Sequence, residues 1–198
     1  MKSAYAVPAG IGWAIAVTLL GIQIAVLHTY GQPLIAASGR VLLWVNDPFS
    51  PDMSQQMADW YSFSHIIHGF IFFWLLKLAA PGLSLTTRIL IAMGTEVSWE
   101  LAENSPAVIR HYREQALAAG YAGDSILNSI SDTLMMCAGF FIASRLRARY
   151  VVALAISFEI FTACMTRDNL TLNVINLTAP ADWGLIRAIH DWQAAAKP

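Results

Sequence analysis

Glu96, Glu100 and Glu103 recur at i, i+4 and i+7, so a helix through them carries three carboxylates on one face. Asn104 adjoins them. Asp124, Asn128 and Asp132 follow at i, i+4 and i+8, a second polar stripe opposed by Ile126, Leu127, Ile130 and Leu134. His65 and His68, at i and i+3, can turn both rings toward one point, and Glu159 stands about two turns before Arg167 and Asp168. Imidazoles and carboxylates in this mixture suit a divalent Zn, Mn or Fe ion, or an acid–base pair acting on water. The spacing assigns His65, His68 and Glu100 as metal ligands and Glu96, Glu100 and Asp132 as catalytic carboxylates. Glu103, Asn104, Arg113, Asp124, Asn128, Glu159, Arg167 and Asp168 complete the expected binding surface.

These residues lie in or beside apolar segments. Five can be read, at about 8–28, 62–80, 85–104, 125–144 and 150–166. The chain is 57% hydrophobic and 13% charged, with mean hydropathy +0.52, whereas soluble domains carry about 25% charged residues. The reading is all-α: one domain, an integral membrane bundle of about five transmembrane helices, with an outer segment over 167–198. Leu185, Ile186, Ile189 and Trp192 give that segment a short amphipathic stripe suited to an interfacial helix. The first apolar stretch is longer than the roughly 7–15 residues of a signal-peptide core and reads as an uncleaved anchor. Aromatic residues mark the expected interfaces at Tyr30, Trp60, Tyr61 and Tyr150.

Threaded as alternating spans, the chain places Glu96, Glu100, Glu103, Asp124, Asp132, Glu159, His65 and His68 in one half of the bilayer. A charge near the bilayer centre costs about 2.5–3.5 kcal/mol on insertion scales, so their convergence needs a cause. Lysines and arginines divide evenly between the two sides. Arg145, Arg147 and Arg149 nevertheless crowd a very short connection, and short loops carry the orientation signal. The N-terminus is therefore expected in the cytoplasm and the C-terminus in the periplasm, across a bacterial inner membrane. Arg110-His111-Tyr112-Arg113 is expected to form a basic lip over the acidic pocket. The net charge of −1 and the lack of a basic patch exclude nucleic acid. Cys137 and Cys164 read as buried thiols without metal-type spacing.

Three readings of the polar set stay open. It can be a hydrogen-bonded network that only holds the bundle together. It can be an enzyme centre, with a cation neutralising excess charge and activating water. It can be a proton relay in a transporter, although the other leaflet offers no matching polar path. No H-E-x-x-H, phosphate loop, G-x-S-x-G or Cys-x-x-Cys motif decides among them.

The strings Asp59-Trp-Tyr-Ser-Phe-Ser-His-Ile-Ile-His-Gly69, Glu96-Val-Ser-Trp-Glu-Leu-Ala-Glu-Asn104, Gly123-Asp-Ser-Ile-Leu-Asn-Ser-Ile-Ser-Asp132 and Arg167-Asp-Asn-Leu-Thr-Leu-Asn173 carry a family likeness. Over about 54–175 the chain resembles an uncharacterised bacterial family of multi-pass inner-membrane proteins of the domain-of-unknown-function type. The resemblance implies location and topology. It also implies cysteines in the first outer loop, which this chain lacks, so no thiol role transfers. A looser likeness links the helix-end acids and histidines to VanZ-like membrane proteins. The expected role is binding or hydrolysis of a lipid-linked or envelope ligand at the outer leaflet, with the bilayer itself as partner. The alternative is a structural or regulatory membrane protein.

Overall fold

A computed structural model describes residues 7–113, 120–179 and 183–195. Lys2, Glu114, Asp182 and Lys197, which entered the charge reading, lie outside these residues. The described residues form helices only: α1 (Ala9–Thr29), α2 (Ser62–Ala79), α3 (Leu85–Glu103), α4 (Pro106–Arg113), α5 (Ile126–Arg145), α6 (Ala148–Thr166), α7 (Leu170–Thr178) and α8 (Gly184–Ala194). Ser84, Ser125 and Asn169 start α3, α5 and α7 by accepting from Thr87 N, Asn128 N and Leu172 N, and Pro106 occupies the first turn of α4. Arg167 ends α6 in the left-handed conformation at φ 56°, a common way to stop a helix.

Four helices, α1, α2, α5 and α6, are long and apolar enough to cross a membrane. The expected third span is different. α3 has 19 residues, about 28 Å of helix, but bears Arg88, Glu96, Glu100 and Glu103. Its polar face is covered rather than absent: Glu96 and Glu100 are fully buried between α2 and α5.

Contacts at the helix ends fix the directions. Gln23 near the end of α1 meets Ser129 near the start of α5, so these run opposite ways. His65 at the start of α2 meets Glu96 late in α3. Phe63 on α2 packs against Phe158 and Phe161 late in α6. α2 and α5, by contrast, run parallel, Ser62 facing Asp132 and Gly69 facing Gly139. There the backbones touch. A Cβ on Gly69 would overlap Met136 O, and one on Gly139 would overlap Ile66 O. Small residues permit such backbone approach in membrane helix pairs. Below the contact, Phe70, Phe73, Met136, Phe140 and Met93 form the buried core.

The long first loop folds over the end of the bundle where the acids lie. Pro33 O and Leu34 O accept from Ile126 N and Leu127 N at the start of α5, and Ser54 O accepts from Ser125 N. α8 buries Ile186 and Ile189 and leaves Leu185 and Trp192 exposed, so its stripe docks on the protein by one edge.

The parallel contact generates a stability prediction. Gly69→Ala and Gly139→Ala should each lower stability by about 1–3 kcal/mol, the usual cost of overpacking. Gly94→Ala, at a helical glycine with open space around it, should cost nothing measurable. Thermal unfolding of the purified variants in one detergent checks this; equal melting for Gly69→Ala and Gly94→Ala would contradict the contact.

Candidate functional site

The site grows from the start of α2. One turn separates His65 from His68, and α3 lays Glu96 and Glu100 against them. His65 Nδ1 lies 2.6 Å from Glu96 Oε1 and 3.4 Å from Glu100 Oε1. His68 Nδ1 lies 3.2 and 3.1 Å from the two oxygens of Glu96. From the facing helix, Asp132 Oδ2 stands 3.8 Å from His65 Nε2. Asp132 also accepts from Ser62 Oγ, and Glu100 Oε2 accepts from Ser129 Oγ. Glu100 Oε1 is buried without a hydrogen-bond partner. Among the described residues no lysine or arginine pairs with these carboxylates.

Two sets of three groups converge closely enough to hold a metal ion: His65, His68 and Glu96, and His65, Glu100 and Asp132. The expected trio of His65, His68 and Glu100 does not converge in that way, because His68 turns to Glu96. The two sets differ in kind. The first is closed by direct hydrogen bonds of 2.6–3.2 Å. In the second, the 3.8 Å between His65 Nε2 and Asp132 Oδ2 is too long for a hydrogen bond. It lies within the span of two ligands each about 2.0–2.2 Å from one ion.

Above this centre is a cavity of about 80 Å³, lined by His65, His68 and Asp132 at its base. Its walls hold Glu103, Asp124 and Asp168, expected from the sequence, together with aromatic residues that were not. Gly123, at φ +92°, makes the turn that delivers Asp124, and its missing side chain leaves room for Gln32 and Asn104. Asn104 Nδ2 donates to Asp124 Oδ2 while Asp124 N donates back to Asn104 Oδ1. Asn104 and Asn128 act behind the cavity; Asn128 Nδ2 donates to Gln56 O and ties α5 to the first loop.

Three expected site residues point elsewhere. Glu159 accepts from Leu170 N and Thr171 N, where its charge complements the first turn of α7. Arg167 donates to Trp192 O and lies over that ring, and Arg113 donates to Tyr121 O. The basic lip is thus not formed by arginine: from Arg110-His111-Tyr112-Arg113 only Tyr112 lines the cavity. Tyr61, Trp99, Tyr112, Tyr121 and Asn173, with the smaller Ser54 and Ser64 and the apolar Leu170, are the lining residues that spacing arguments missed as site residues. Tyr61 looked like an interface marker. Tyr121 stands only three residues before Asp124, the one local signal that could have exposed it.

Asp168 joins the cavity to α8. Its Oδ2 accepts from Tyr61 OH at 3.1 Å and Asn173 Nδ2 at 3.3 Å; Oδ1 accepts from Asn169 N and Gln193 Nε2. Burial nevertheless dominates and pushes its pKa up to about 7; the donors from Tyr61, Asn169 and Asn173 pull it down, and Glu159 adds to the rise. A carboxyl raised in the folded state opposes folding progressively as pH climbs from its unfolded value near 4 to about 7. Asp168→Asn cannot ionise. Its stability relative to wild type should therefore improve as pH rises from 5 to 8. Melting curves across that range give the check; a constant difference would show that Asp168 is ionised throughout.

Residues 27–195 match a family described as a protein of unknown function (DUF2585). A UPF0314 protein of Sphingopyxis alaskensis is 51% identical over 183 residues, covering 92% of this chain and 95% of the relative. A UPF0314 protein of Rhizobium meliloti is 47% identical over 176 residues, covering 89% and 87%. One of Brucella anthropi is 40% identical over 185 residues, covering 93% and 91%. No solved structure matches the chain. With the match running from the end of α1 through α8 and embracing the whole polar centre, this chain belongs to the DUF2585 family.

Proposed function

We propose that this protein is a five-span inner-membrane protein whose outward cavity holds a divalent cation and hydrolyses the head group of an amphiphile. One observation carries the reading: His65 is shared by three buried carboxylates, and the gap it leaves toward Asp132 is of cation size and opens to the cavity. In this reading α3 is the fifth span, its charges hidden by α2 and α5. The arginine-rich α5–α6 connection faces the cytoplasm and the acidic end faces the periplasm.

The ligands are His65, Glu100 and Asp132. Glu100 Oε1, which makes no hydrogen bond in the protein, would gain the cation as its partner. Glu96 serves as orienter. With the proton of each histidine on Nδ1, Glu96 accepts from both rings and each Nε2 keeps its lone pair. A cation held there would supply Lewis-acid activation of water, and His68, which lines the cavity, would be the neighbouring base. A site half-sunk in the outer leaflet receives its amphiphile from lipid and its water from outside.

A structural network is the competing account, favoured by the bonds Gln23 makes to Ser129 and Thr133 and by the Ser129–Glu100 bond, which tie α1, α3 and α5. Elemental analysis of protein purified without chelator separates the two. Stoichiometric Zn, Mn or Fe is expected in wild type and in His68→Ala, with at least a tenfold loss of affinity in His65→Ala and Asp132→Ala. No metal in the wild type leaves the network as the account.

The topology has its own test. Reporter fusions after Arg147 should read cytoplasmic, and those after Tyr112 or Pro198 periplasmic. A cytoplasmic Pro198 would overturn the five-span arrangement.

A further inference from the structure

The cavity walls carry a pattern that the cation centre does not use. Three tyrosines from three different segments stand among the carboxylates: Tyr61 donates to Asp168 at 3.1 Å, Tyr121 donates to Asp124 at 2.9 Å, and Tyr112 lines the same cavity as Glu103. All six residues line the cavity, with Trp99 beside them. Burial first, and then the neighbouring carboxylates, raise all three tyrosine pKa values, so the hydroxyls stay protonated and donate. Among the described residues the lining includes no lysine or arginine. The wall is both acidic and aromatic.

Such a wall selects a kind of cation. A metal ion needs several free oxygen or nitrogen atoms converging on one point, and Glu103, Asp124 and Asp168 join no such group among the described residues. Asp124 and Asp168 are each held by a tyrosine hydroxyl instead. What the wall offers is ring surface, whose negative quadrupole attracts an organic cation, with carboxylates adding long-range attraction. A cavity of about 80 Å³ also limits the guest. It favours a compact guest, an alkylammonium head and not an oligosaccharide.

We propose that the mouth of the cavity binds a primary alkylammonium group, between Trp99 and the tyrosines 61, 112 and 121, with Glu103, Asp124 and Asp168 balancing its charge. This rests on the reading that the cavity receives an amphiphile's head group; it does not require the metal. The ammonium can arrive on a lipid or as a free amine, and the chemistry recognised is the same.

The test uses the full chain in phosphatidylglycerol nanodiscs, titrated with ethylammonium chloride against sodium chloride at matched ionic strength. Binding is read by saturation-transfer NMR on the ethyl protons, with ethanol as the neutral control. Ethylammonium, and not ethanol, should give signal in wild type, weakened about fivefold or more in Trp99→Leu and Glu103→Gln. Phosphatidylethanolamine added to the nanodiscs should abolish the signal if the source is a lipid head group and leave it intact if the source is a soluble amine. Equal signals from ethanol and ethylammonium, or unchanged binding in both variants with wild-type melting, would overturn the proposal. Metal content measured on the same samples separates the two readings: metal without ammonium binding sinks this inference alone, and ammonium binding without metal sinks the cation centre alone.

Discussion

Carboxylates taken out of water must be given partners, and here one imidazole is placed among three of them. Glu96, Glu100 and Asp132 are each at most 4% exposed and all lie within 4 Å of His65. Desolvating an ion costs several kcal/mol even after relaxation, and leaving a buried charge unpaired costs more than the pair returns. Three helices therefore have to meet at one residue. α2 brings the imidazole, α3 two carboxylates and α5 the third. The remaining elements hold those three in register.

Register is set just below the site. Gly69 follows His68 directly, and Gly139 lies two turns after Asp132, so the backbone contact of α2 with α5 sits within two turns of the His65–Asp132 gap. Parallel neighbours cannot be joined by a tight turn. The chain uses α3 to come back and the segment after it to cross over, and that segment is where Asn104, Tyr112, Tyr121 and Asp124 arise. Part of the cavity wall, Tyr112, Tyr121 and Asp124, thus comes from the connection between α3 and α5.

Helical spacing made much of the centre legible. The i, i+4, i+7 glutamates and the i, i+3 histidines do face one another, because a polar stripe in an apolar bundle has nowhere else to turn. Periodicity, however, fixes a face and not a partner. Nothing in the spacing distinguishes His68 turning to Glu96 from His68 turning to Glu100; that depends on how far α2 is rotated against α3, which the sequence does not encode locally. Arg113 and Arg167 misled for a related reason. Their charge suggested the acids as partners, yet both found backbone carbonyls, of Tyr121 and Trp192. Glu159 looked like a member of the pocket because depth along the helix was readable, whereas its azimuth, toward the start of α7, was not. Tyr61 escaped because a tyrosine at the end of a span has an adequate interfacial explanation already, and Tyr112 because the arginines around it drew the reading of that lip.

The fate of the arginines bears on whether the polar set is only glue. A bundle needing acids solely for cohesion is best served by bidentate arginine partners, which neutralise and hydrogen-bond at once. Arg113 and Arg167 are close in sequence to the cavity wall and carry suitable forks, yet both are spent on carbonyls. The carboxylates are instead met by groups that satisfy hydrogen bonds without cancelling charge: tyrosine hydroxyls, asparagine amides, serine hydroxyls and backbone N–H groups. Such partners fix the position of a carboxyl group without supplying a permanent opposite charge. Carboxyls held in this way are costly as fasteners and ready to ionise when a cation enters, so the choice of partners favours a binding site over a structural knot.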